Sequence, residues 1–402
     1  MASRARLAGE RRAPASDSAR RTGAAEGVPV VCYPFSGAAV GGSHLSVKGL
    51  IDNLGASSVS PLIVVEAGDN PIARLFPGRR VVVDPAAASG FAPGQRVSLA
   101  AYLGTLRHAL RRARFLRRHG VAIVHCNDGR SCADWGLAAK LAGAKLLWHH
   151  RSDPGSVGLR FVAPLLADRV ATVSRFALPP PGRWSAAARA QVVHSPFDTS
   201  IAVDRSTMRA RLAEEIGLDA GGAILGFFGA FVERKRPEMF VRALADLRER
   251  TGRDVRGVMF GEARSPHMAE RLAATIAETG MGQAVHRPGY RDEGWRWIAA
   301  CDVLLVPAVG EPFGRTLVEA MLVQTPVVAA RSGGNVEALE PDLGLLVAPD
   351  DPAALAGACA HILDRPGVAL EMARRARASA LERFGIDRHR EAILTIYRQL
   401  LD

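Results

Sequence analysis

The sequence contains little cysteine, no Cys-x-x-Cys pair and no long apolar run. Its five cysteines are scattered along 402 residues, so reduced thiols are expected rather than disulfides or a zinc site. No stretch of about 18 uncharged apolar residues is present, which predicts that the chain has no membrane-spanning helix. The N-terminus also lacks the apolar segment of a signal peptide, and we therefore expect a cytoplasmic protein.

Lysine is nearly absent, because arginine carries almost all of the basic charge. Only four lysines occur, at positions 48, 140, 145 and 235, although the formal net charge is +12. A lysine that stands in a motif is for this reason more informative than an arginine. The positive charge predicts an anionic partner, which is a nucleoside diphosphate, a phospholipid surface or nucleic acid. The charge alone does not choose among the three.

The chain is too long for one ordinary core, so two domains are predicted. Residues 1–27 carry six arginines among Ala, Ser and Gly without apolar periodicity, which predicts a disordered basic arm. This arm either has no function or touches a membrane or RNA.

A long helix is predicted over residues 99–119, with apolar residues along one stripe and arginines over the rest of its surface. The stripe comprises Leu103, Leu106, Leu110, Ala113 and Leu116, and the arginines are Arg107, Arg111, Arg112, Arg114, Arg117 and Arg118. Such a helix packs its stripe on a sheet and leaves its arginines in water. Alternatively, the basic face attracts the protein to an anionic membrane.

The most informative stretch runs from Val303 to Glu337. It begins with an apolar run, residues 303–306, which predicts a buried strand of a parallel sheet. A turn carrying Glu311 and Gly314 follows, then a helix, and then a second strand over residues 327–330. This order predicts a βαβ unit whose helix N-terminus presents backbone N–H groups to an anion.

This stretch resembles the E-x7-E motif of retaining nucleotide-sugar glycosyltransferases with the GT-B fold, in particular their large family 4. Between Glu311 and Glu319 the sequence reads EPFGRTLVE, followed by PVVA and by a GG-x-x-E segment. Two glutamates at this spacing are common by chance, but the ordered string is specific. The resemblance implies an α/β protein in which two Rossmann-like domains face a central cleft. An acceptor-side domain over residues 28–199 would precede a donor domain over residues 200–387, and a last helix over residues 388–401 would pack back on the first.

The resemblance also implies roles for individual residues of the second domain. Glu319 would bind the ribose hydroxyls of the donor, and Glu311 would contact a hydroxyl of the transferred sugar. Backbone N–H groups at the helix N-terminus would meet the diphosphate; these belong to Phe313, Gly314, Arg315 and Thr316. Backbone atoms near Arg287 would contact the nucleotide base.

Residues 229–236 read GAFVERKR and resemble the G-R-x-x-x-x-K donor-phosphate motif of the same family, beginning at Gly229. Lys235 stands in the lysine position, where a cation would stabilise the charge that develops on the leaving diphosphate. Ala230 stands where an arginine is usual, so one phosphate contact is lost unless Arg234 or Arg236 supplies it.

Two segments of the first half are further candidates. A glycine-rich loop with Gly41, Gly42 and His44 would face the cleft and meet phosphate or acceptor, or else it is an ordinary βα turn. His150 ends a predicted strand and, by resemblance, would lie beside the transferred sugar, although a strand-end histidine can equally be a plain hydrogen-bonding residue. The candidate catalytic residues are therefore Glu311, Lys235 and His150.

The resemblance as a whole implies a retaining glycosyltransferase that acts without a metal or other cofactor. No Asp-x-Asp pair occurs to hold a divalent ion, so Lys235 and the helix dipole would supply the positive charge. The expected partners are a nucleotide sugar and a glycan or lipid-linked acceptor in envelope, exopolysaccharide or glycolipid synthesis. Peripheral contact with the anionic inner membrane is possible from the charge, and no nucleic acid is expected.

Two alternatives stay open at the level of the sequence. One is a catalytically weak binding or partner protein of the same fold, motivated by Ala230 and by a missing Asn-Gly before Asp198. The other is a nucleotide-sugar epimerase of this fold, which should carry a different set of motifs. The sugar, the base, the acceptor and the oligomeric state are not determined by the sequence.

Overall fold

The computed structural model describes residues 27–402 except residues 39, 56–57, 87–98 and 220, and the side chains of residues 99–106 are not described either. The predicted arm over residues 1–27 therefore lies almost wholly outside the described residues. In the described chain, two parallel sheets with helices on both faces follow one another. This confirms the predicted α/β architecture.

Seven of the described strands form the first sheet, in the order β3-β2-β1-β4-β5-β6-β7. They are β1 (Val30–Pro34), β2 (Ser60–Val65), β3 (Val81–Val83), β4 (Val121–Cys126), β5 (Lys145–His150), β6 (Arg169–Thr172) and β7 (Ala190–Val192). The helices that connect them are α1 (Gly42–Asp52), α2 (Leu99–Arg118), α3 (Gly129–Ala142) and α4 (Ala163–Leu166). A π-helical turn, Gly158–Val162, leads directly into α4.

Six strands form the second sheet, in the order β10-β9-β8-β11-β12-β13, among the residues that the structure describes. They are β8 (Ala223–Phe228), β9 (Val255–Phe260), β10 (Val285–Gly289), β11 (Val303–Val306), β12 (Val327–Ala330) and β13 (Leu345–Val347). The remaining helices are α5 (Arg205–Glu215), α6 (Pro237–Thr251), α7 (Pro266–Glu278), α8 (Gly294–Ala299), α9 (Arg315–Leu322), α10 (Asn335–Ala338), α11 (Pro352–Asp364), α12 (Pro366–Arg383) and α13 (Ile386–Leu401).

The central βαβ unit of the second sheet is the one predicted from the apolar runs. All four residues of β11 and all four of β12 are buried, as expected for strands covered by helices on both faces. The two strands are paired in parallel, and the connecting α9 buries five of its eight residues. Both predicted strands are confirmed with the bounds that the sequence indicated.

The last helix, α13, returns to the first sheet. Its Ile393, Ile396 and Leu400 join the core cluster that also contains β1 side chains such as Val31. The Tyr397 hydroxyl lies 2.8 Å from that of Tyr33 on β1. The chain thus passes from the second sheet back to the first, and α13 closes the first half's core.

The orientation of α2 differs from the prediction. Leu110, expected on the buried stripe, is 45% exposed, whereas Arg112, expected in water, is buried. Arg112 Nη2 lies 2.8 Å from Asp84 Oδ2, and its guanidinium lies over the Trp135 ring. A buried arginine is tolerated here because a carboxylate compensates its charge. The stripe therefore runs through Ala109, Arg112, Ala113 and Leu116; the side chains of Leu103 and Leu106 lie outside the described residues.

The five cysteines are free thiols, and all of them are buried. Within the described residues, no helix combines the length and the apolar character that crossing a bilayer requires.

Candidate functional site

A cavity of about 660 Å³ lies between the two sheets. Loops that follow the carboxyl ends of strands line it, as is usual for binding sites of parallel α/β sheets. The loop after β1 contributes Gly41 and Gly42, and the loop after β8 contributes Gly229 and Ala230. Helix α9 contributes Arg315, Thr316 and Glu319. The structure therefore brings together the glycine loop of the first half and the E-x7-E segment of the second.

The N-terminus of α9 is built to present backbone N–H groups. Gly314 is the N-cap residue and adopts φ +76°, a left-handed conformation that favours glycine. A side chain at this position would also come within 2.7 Å of Leu317 Cδ1. In the described part of the chain, none of the backbone N–H groups of residues 313–316 donates a hydrogen bond. These groups are consequently available to an anion, which the helix dipole also favours.

Glu311, Lys235 and Arg234 form an ionic cluster at the start of this turn, in which the carboxylate of Glu311 is buried and Arg234 is exposed. Lys235 Nζ lies 2.9 Å from Glu311 Oε2, and Arg234 also binds that oxygen. Burial would raise the pKa of Glu311, but the two cations more than offset burial and lower the pKa below its ordinary value. The aliphatic end of Lys235 packs beside Gly229, which lines the cavity. The carboxylate is thus held ionised between two cations next to the cleft.

Glu319 lies one helix turn further along α9, on the wall of the cavity. Burial raises its pKa above the ordinary value, although Arg315 and Lys235 act in the opposite direction. Its Oε1 lies 3.7 Å from Arg315 Nη2, a distance longer than a hydrogen bond. The carboxylate therefore keeps free acceptor capacity toward the cavity.

The Gly333-Gly334 pair allows two loops to touch backbone to backbone. The N–H of Gly334 donates to the Glu311 carbonyl at 2.6 Å. A Cβ atom on Gly333 would lie 2.5 Å from that carbonyl oxygen, and one on Gly334 would lie 2.5 Å from the Pro312 oxygen. Only glycine permits this approach, which fixes the turn that carries Glu311.

We expect Gly334→Ala to destabilise the protein by about 1–3 kcal/mol, because the added methyl group overpacks a backbone contact that cannot yield. The φ of Gly334 is ordinary, so the effect is steric. Thermal and chemical unfolding measure it. The matched control is Gly357→Ala, a helical position where a new Cβ meets nothing within 4 Å. Equal stability of the two variants would contradict the steric account.

A second expected outcome concerns pH. Because the pKa of Glu311 is lowered in the folded state, its charge contributes stability above the unfolded-state pKa of about 4.3. This contribution is lost as the pH falls through the lower folded-state pKa. The difference in thermal midpoint between the wild type and Glu311→Gln should therefore narrow on acidification. Glu371→Gln, at an exposed pair with Arg374, serves as the control and should show no such trend.

Glu337, the last residue of GG-x-x-E, joins the two halves of the molecule. Its Oε1 lies 2.7 Å from His194 Nε2, and its Oε2 accepts the backbone N–H of Arg175 at 2.6 Å. Nearby, the Ser174 hydroxyl donates to the Pro312 carbonyl. The GG-x-x-E segment drew attention to Glu337 in the sequence. No role was predicted for it, because its partners lie more than 140 residues away along the chain.

Several predicted site residues lie outside the cavity wall. His150 is buried at the end of β5, with Nε2 2.9 Å from the Asp153 carbonyl. The Arg236 guanidinium is paired with Glu233 and Asp350. The side chains of Arg287 and Phe313 do not line the cavity either. The Arg287 side chain is exposed on β10, and the Phe313 ring is buried against His194 and Phe384.

The predicted glycine loop of the first half meets the second half directly. Its Gly42 approaches Arg315 so closely that a Cβ would lie 2.7 Å from Arg315 Cδ. Arg315 Nη1 donates to the Ser46 hydroxyl at 3.2 Å, and the guanidinium lies over Phe197. His44 accepts the N–H of Gly41 through Nδ1 at 3.0 Å. Arg315 thus connects α9 to the first half.

The cavity wall also contains residues that the sequence did not single out. They follow the carboxyl ends of β9 and β10 and are Glu262, Arg264, Tyr290, Arg291, Glu293 and Trp295. The sequence could have indicated them, because they follow predicted strands, and the loops after parallel strands of one sheet lie at the same edge. No cluster of three or more His, Cys, Asp or Glu suited to a metal ion occurs among the described side chains.

Part of the second half matches a known family model. Residues 222–365 match the family model described as glycosyl transferases group 1. The D-inositol 3-phosphate glycosyltransferase of Acidothermus cellulolyticus is 36% identical over 221 residues, 53% of this chain and 48% of that protein. The 2-deoxystreptamine glucosyltransferase of Streptomyces kanamyceticus is 33% identical over 195 residues, 48% of this chain and 49% of that protein. The chain thus spans about half the length of these curated relatives.

Solved structures are similar over almost the whole chain. The Anabaena protein HepE in complex with UDP and glucose superposes with a TM-score of 0.78, at 20% identity, over 92% of this chain and 99% of HepE. Sucrose-phosphate synthase from Thermosynechococcus elongatus gives a TM-score of 0.73 at 21% identity, over 93% and 99%. At such identities the likeness concerns the fold. The protein has the two-domain GT-B fold that the sequence predicted.

Proposed function

We propose that the protein transfers a sugar from a nucleoside diphosphate sugar to an acceptor hydroxyl, because residues 222–365 match the family model described as glycosyl transferases group 1. One observation carries this proposal. Glu319 and the first residues of α9, Arg315 and Thr316, line one cavity, and the ammonium group of Lys235 lies beside Gly229 of the same wall. Together they suit a diphosphate next to a ribose.

The donor would bind mainly to the second half. Its diphosphate would accept hydrogen bonds from the N–H groups of residues 313–316, with Lys235 nearby. Glu319 would bind the vicinal ribose hydroxyls, for which one carboxylate offers two acceptor oxygens. Glu311, held ionised, would contact a hydroxyl of the transferred sugar. Tyr290 and Trp295 add apolar surface to the same wall, suited to a base.

We propose that transfer retains the anomeric configuration and needs no divalent metal. As the glycosidic bond breaks, negative charge accumulates on the leaving diphosphate, and Lys235 with the α9 dipole would stabilise it. The acceptor proton would pass to the leaving phosphate. Contacts between Arg315 and Ser46, and between Glu337 and His194, support closure of the two halves over the donor, which would exclude water.

The acceptor side of the cleft favours an anionic acceptor. Arg151 is partly buried directly after β5 and donates to the Ser195 hydroxyl at 3.0 Å; the charge of Asp128 acts on it, but no ion pair to a carboxylate forms in the described chain. Burial and the nearby charge of Arg315 lower its pKa to about 9, so it remains mostly protonated at neutral pH. The charges of Arg151 and Arg315 repel each other, and an anion bound near both would relieve this repulsion. A phosphorylated polyol, as in the name of the inositol phosphate enzymes, fits this charge better than an aminocyclitol.

The proposal is tested with the purified protein, a panel of UDP- and GDP-sugars, and two acceptor classes. A productive donor should raise the thermal midpoint, because a ligand that binds the native state stabilises it by mass action. Turnover should then be found with phosphorylated polyols, without added metal, and the product's anomeric configuration follows from NMR. Absence of any midpoint shift across the panel would overturn the donor assignment. Turnover only with cationic acceptors would overturn the acceptor assignment.

A catalytically weak binding protein is the second candidate, because Ala230 on the cavity wall lacks the guanidinium expected there. The two candidates differ in one measurement: a binding protein would show the midpoint shift but neither transfer nor donor hydrolysis. A role in envelope, exopolysaccharide or glycolipid synthesis and a cytoplasmic location stay predictions from the sequence.

A further inference from the structure

Four large apolar side chains are strongly exposed on one side of the first half. Val157, Phe161 and Leu165 are 71%, 61% and 67% exposed, and Trp184 is 77% exposed. Monomeric proteins seldom leave contiguous large apolar groups in water without a function. We call these four residues the apolar ridge.

The spacing of the ridge residues explains why three of them share one face. They stand four residues apart along the continuous helical run formed by the Gly158–Val162 turn and α4, so they lie on the same side of it. The opposite side carries Leu159, Ala163 and Ala167, which are fully buried in the core. The ridge is therefore the outer face of a helix whose inner face is already packed.

Trp184 belongs to the same surface, although it lies on a different segment. Arg189, which follows it, donates to the carbonyls of Pro164 and Ala167, both at 2.7 Å. Ala186 is buried in the same core cluster as Leu159 and Ala163. The loop of Trp184 is thus fastened to the end of α4.

The charged residues near the ridge are mainly basic, and the two acidic residues that flank its helical run are the exposed Asp153, and Asp168, which is paired with Lys140. Residues 154–167 and 176–192 contain Arg160, Arg183 and Arg189 but neither Asp nor Glu. Arg160 and Arg183 are exposed beside the apolar residues. Helices α2, α3 and α4 lie side by side on this face of the sheet, and the outer side of α2 exposes further arginines: Arg107, Arg111, Arg114, Arg117 and Arg118. An acidic surface is the complement of this face.

We propose that the apolar ridge docks the protein on an anionic lipid bilayer. Phenylalanine, leucine and valine would enter the boundary of the acyl chains, and tryptophan would lie at headgroup level, where its ring is favoured. The arginines would meet lipid phosphates, an attraction that salt weakens. A convex ridge suits a bilayer surface, whereas a groove would suit a peptide. This inference goes beyond the proposed glycosyl transfer and does not depend on it.

Vesicle flotation of the full chain without substrates tests the proposal. The wild type should float with phosphatidylcholine vesicles that contain phosphatidylglycerol, less so at high salt, and not with phosphatidylcholine alone. Phe161→Glu/Leu165→Glu should reduce the bound fraction about tenfold or more, since two acidic residues replace apolar ones at the interface. Trp184→Ser, on the separate loop, should also reduce it.

The matched control is Val368→Glu/Leu370→Glu, which places the same charges on exposed apolar positions of α12 in the second half. It should float as the wild type does. Unchanged thermal midpoints show that the variants fold. Equal flotation of all variants would overturn the proposal. So would a wild-type dimer in light scattering that Phe161→Glu/Leu165→Glu dissociates, because a second copy would then cover the ridge.

Discussion

Replacement of Lys235 by alanine is expected to lower turnover about 10²–10³-fold, the usual effect of removing one group that stabilises developing charge. The ammonium lies beside Glu311 and close to the cavity residue Gly229. Arginine at this position would keep the charge but not the compact geometry, so Lys235→Arg should recover only part of the rate.

Steady-state kinetics with the donor found by thermal shift measures this effect. Lys140→Ala provides the control, because Lys140 forms a comparable 2.7 Å ion pair with Asp168 on the surface of the first half. The control should keep wild-type turnover. If Lys235→Ala kept it as well, lysine would have no part in stabilising the leaving group. A parallel unfolding curve separates lost catalysis from lost folding.

Glu319→Ala is expected to weaken nucleoside diphosphate binding by about 1–3 kcal/mol, because the ribose hydroxyls lose a charged acceptor. This corresponds to about 5–150-fold in Kd. The position on the cavity wall and the free acceptor capacity beside Arg315 are the structural reasons. Isothermal titration calorimetry with UDP and GDP measures the change. Glu270→Ala, an exposed position on α7, is the control and should bind as the wild type does.

The pH dependence gives an independent check on Glu319. Burial raises its pKa, so the carboxylate takes up a proton at a higher pH than an exposed glutamate does. A protonated carboxyl accepts fewer hydrogen bonds, and affinity should fall as the pH drops through this raised pKa. Glu319→Gln should bind weakly at all pH values and lose that slope. An unchanged slope in the variant would assign the titration to another group.

Local sequence patterns predicted the elements that carry the donor side of the site. The run VLLV became β11 and the run VVAA became β12, because a continuous apolar run of four suits only a strand covered on both faces. Gly314 marked the N-terminus of α9, because its left-handed conformation disfavours other residues. These features depend on neighbours within a few residues, which a sequence displays directly.

Contacts between segments far apart in the chain could not be predicted from the sequence. Arg112 was predicted to face water. A helical pattern does not show that two carboxylates, Asp84 at the end of a neighbouring strand and Asp134 on a neighbouring helix, lie next to its guanidinium. His150 was predicted beside the transferred sugar, yet it does not line the cavity, and the neighbouring His149 stacks on His125. Successive residues of a strand point to opposite faces, so a shift of one position exchanges their surroundings.

The sequence by itself determined the βαβ unit and the residue types around the donor motif, because periodicity and glycine conformation are local properties, and its resemblance to a known family implied the two-domain architecture. Only the tertiary structure decided that Glu337 reaches His194, that Arg315 reaches Ser46, and that the apolar ridge stays uncovered. Each of these depends on how two segments more than 100 residues apart, or a surface and its surroundings, come to lie in space. Packing of whole elements sets that arrangement, and no short stretch of the chain encodes it.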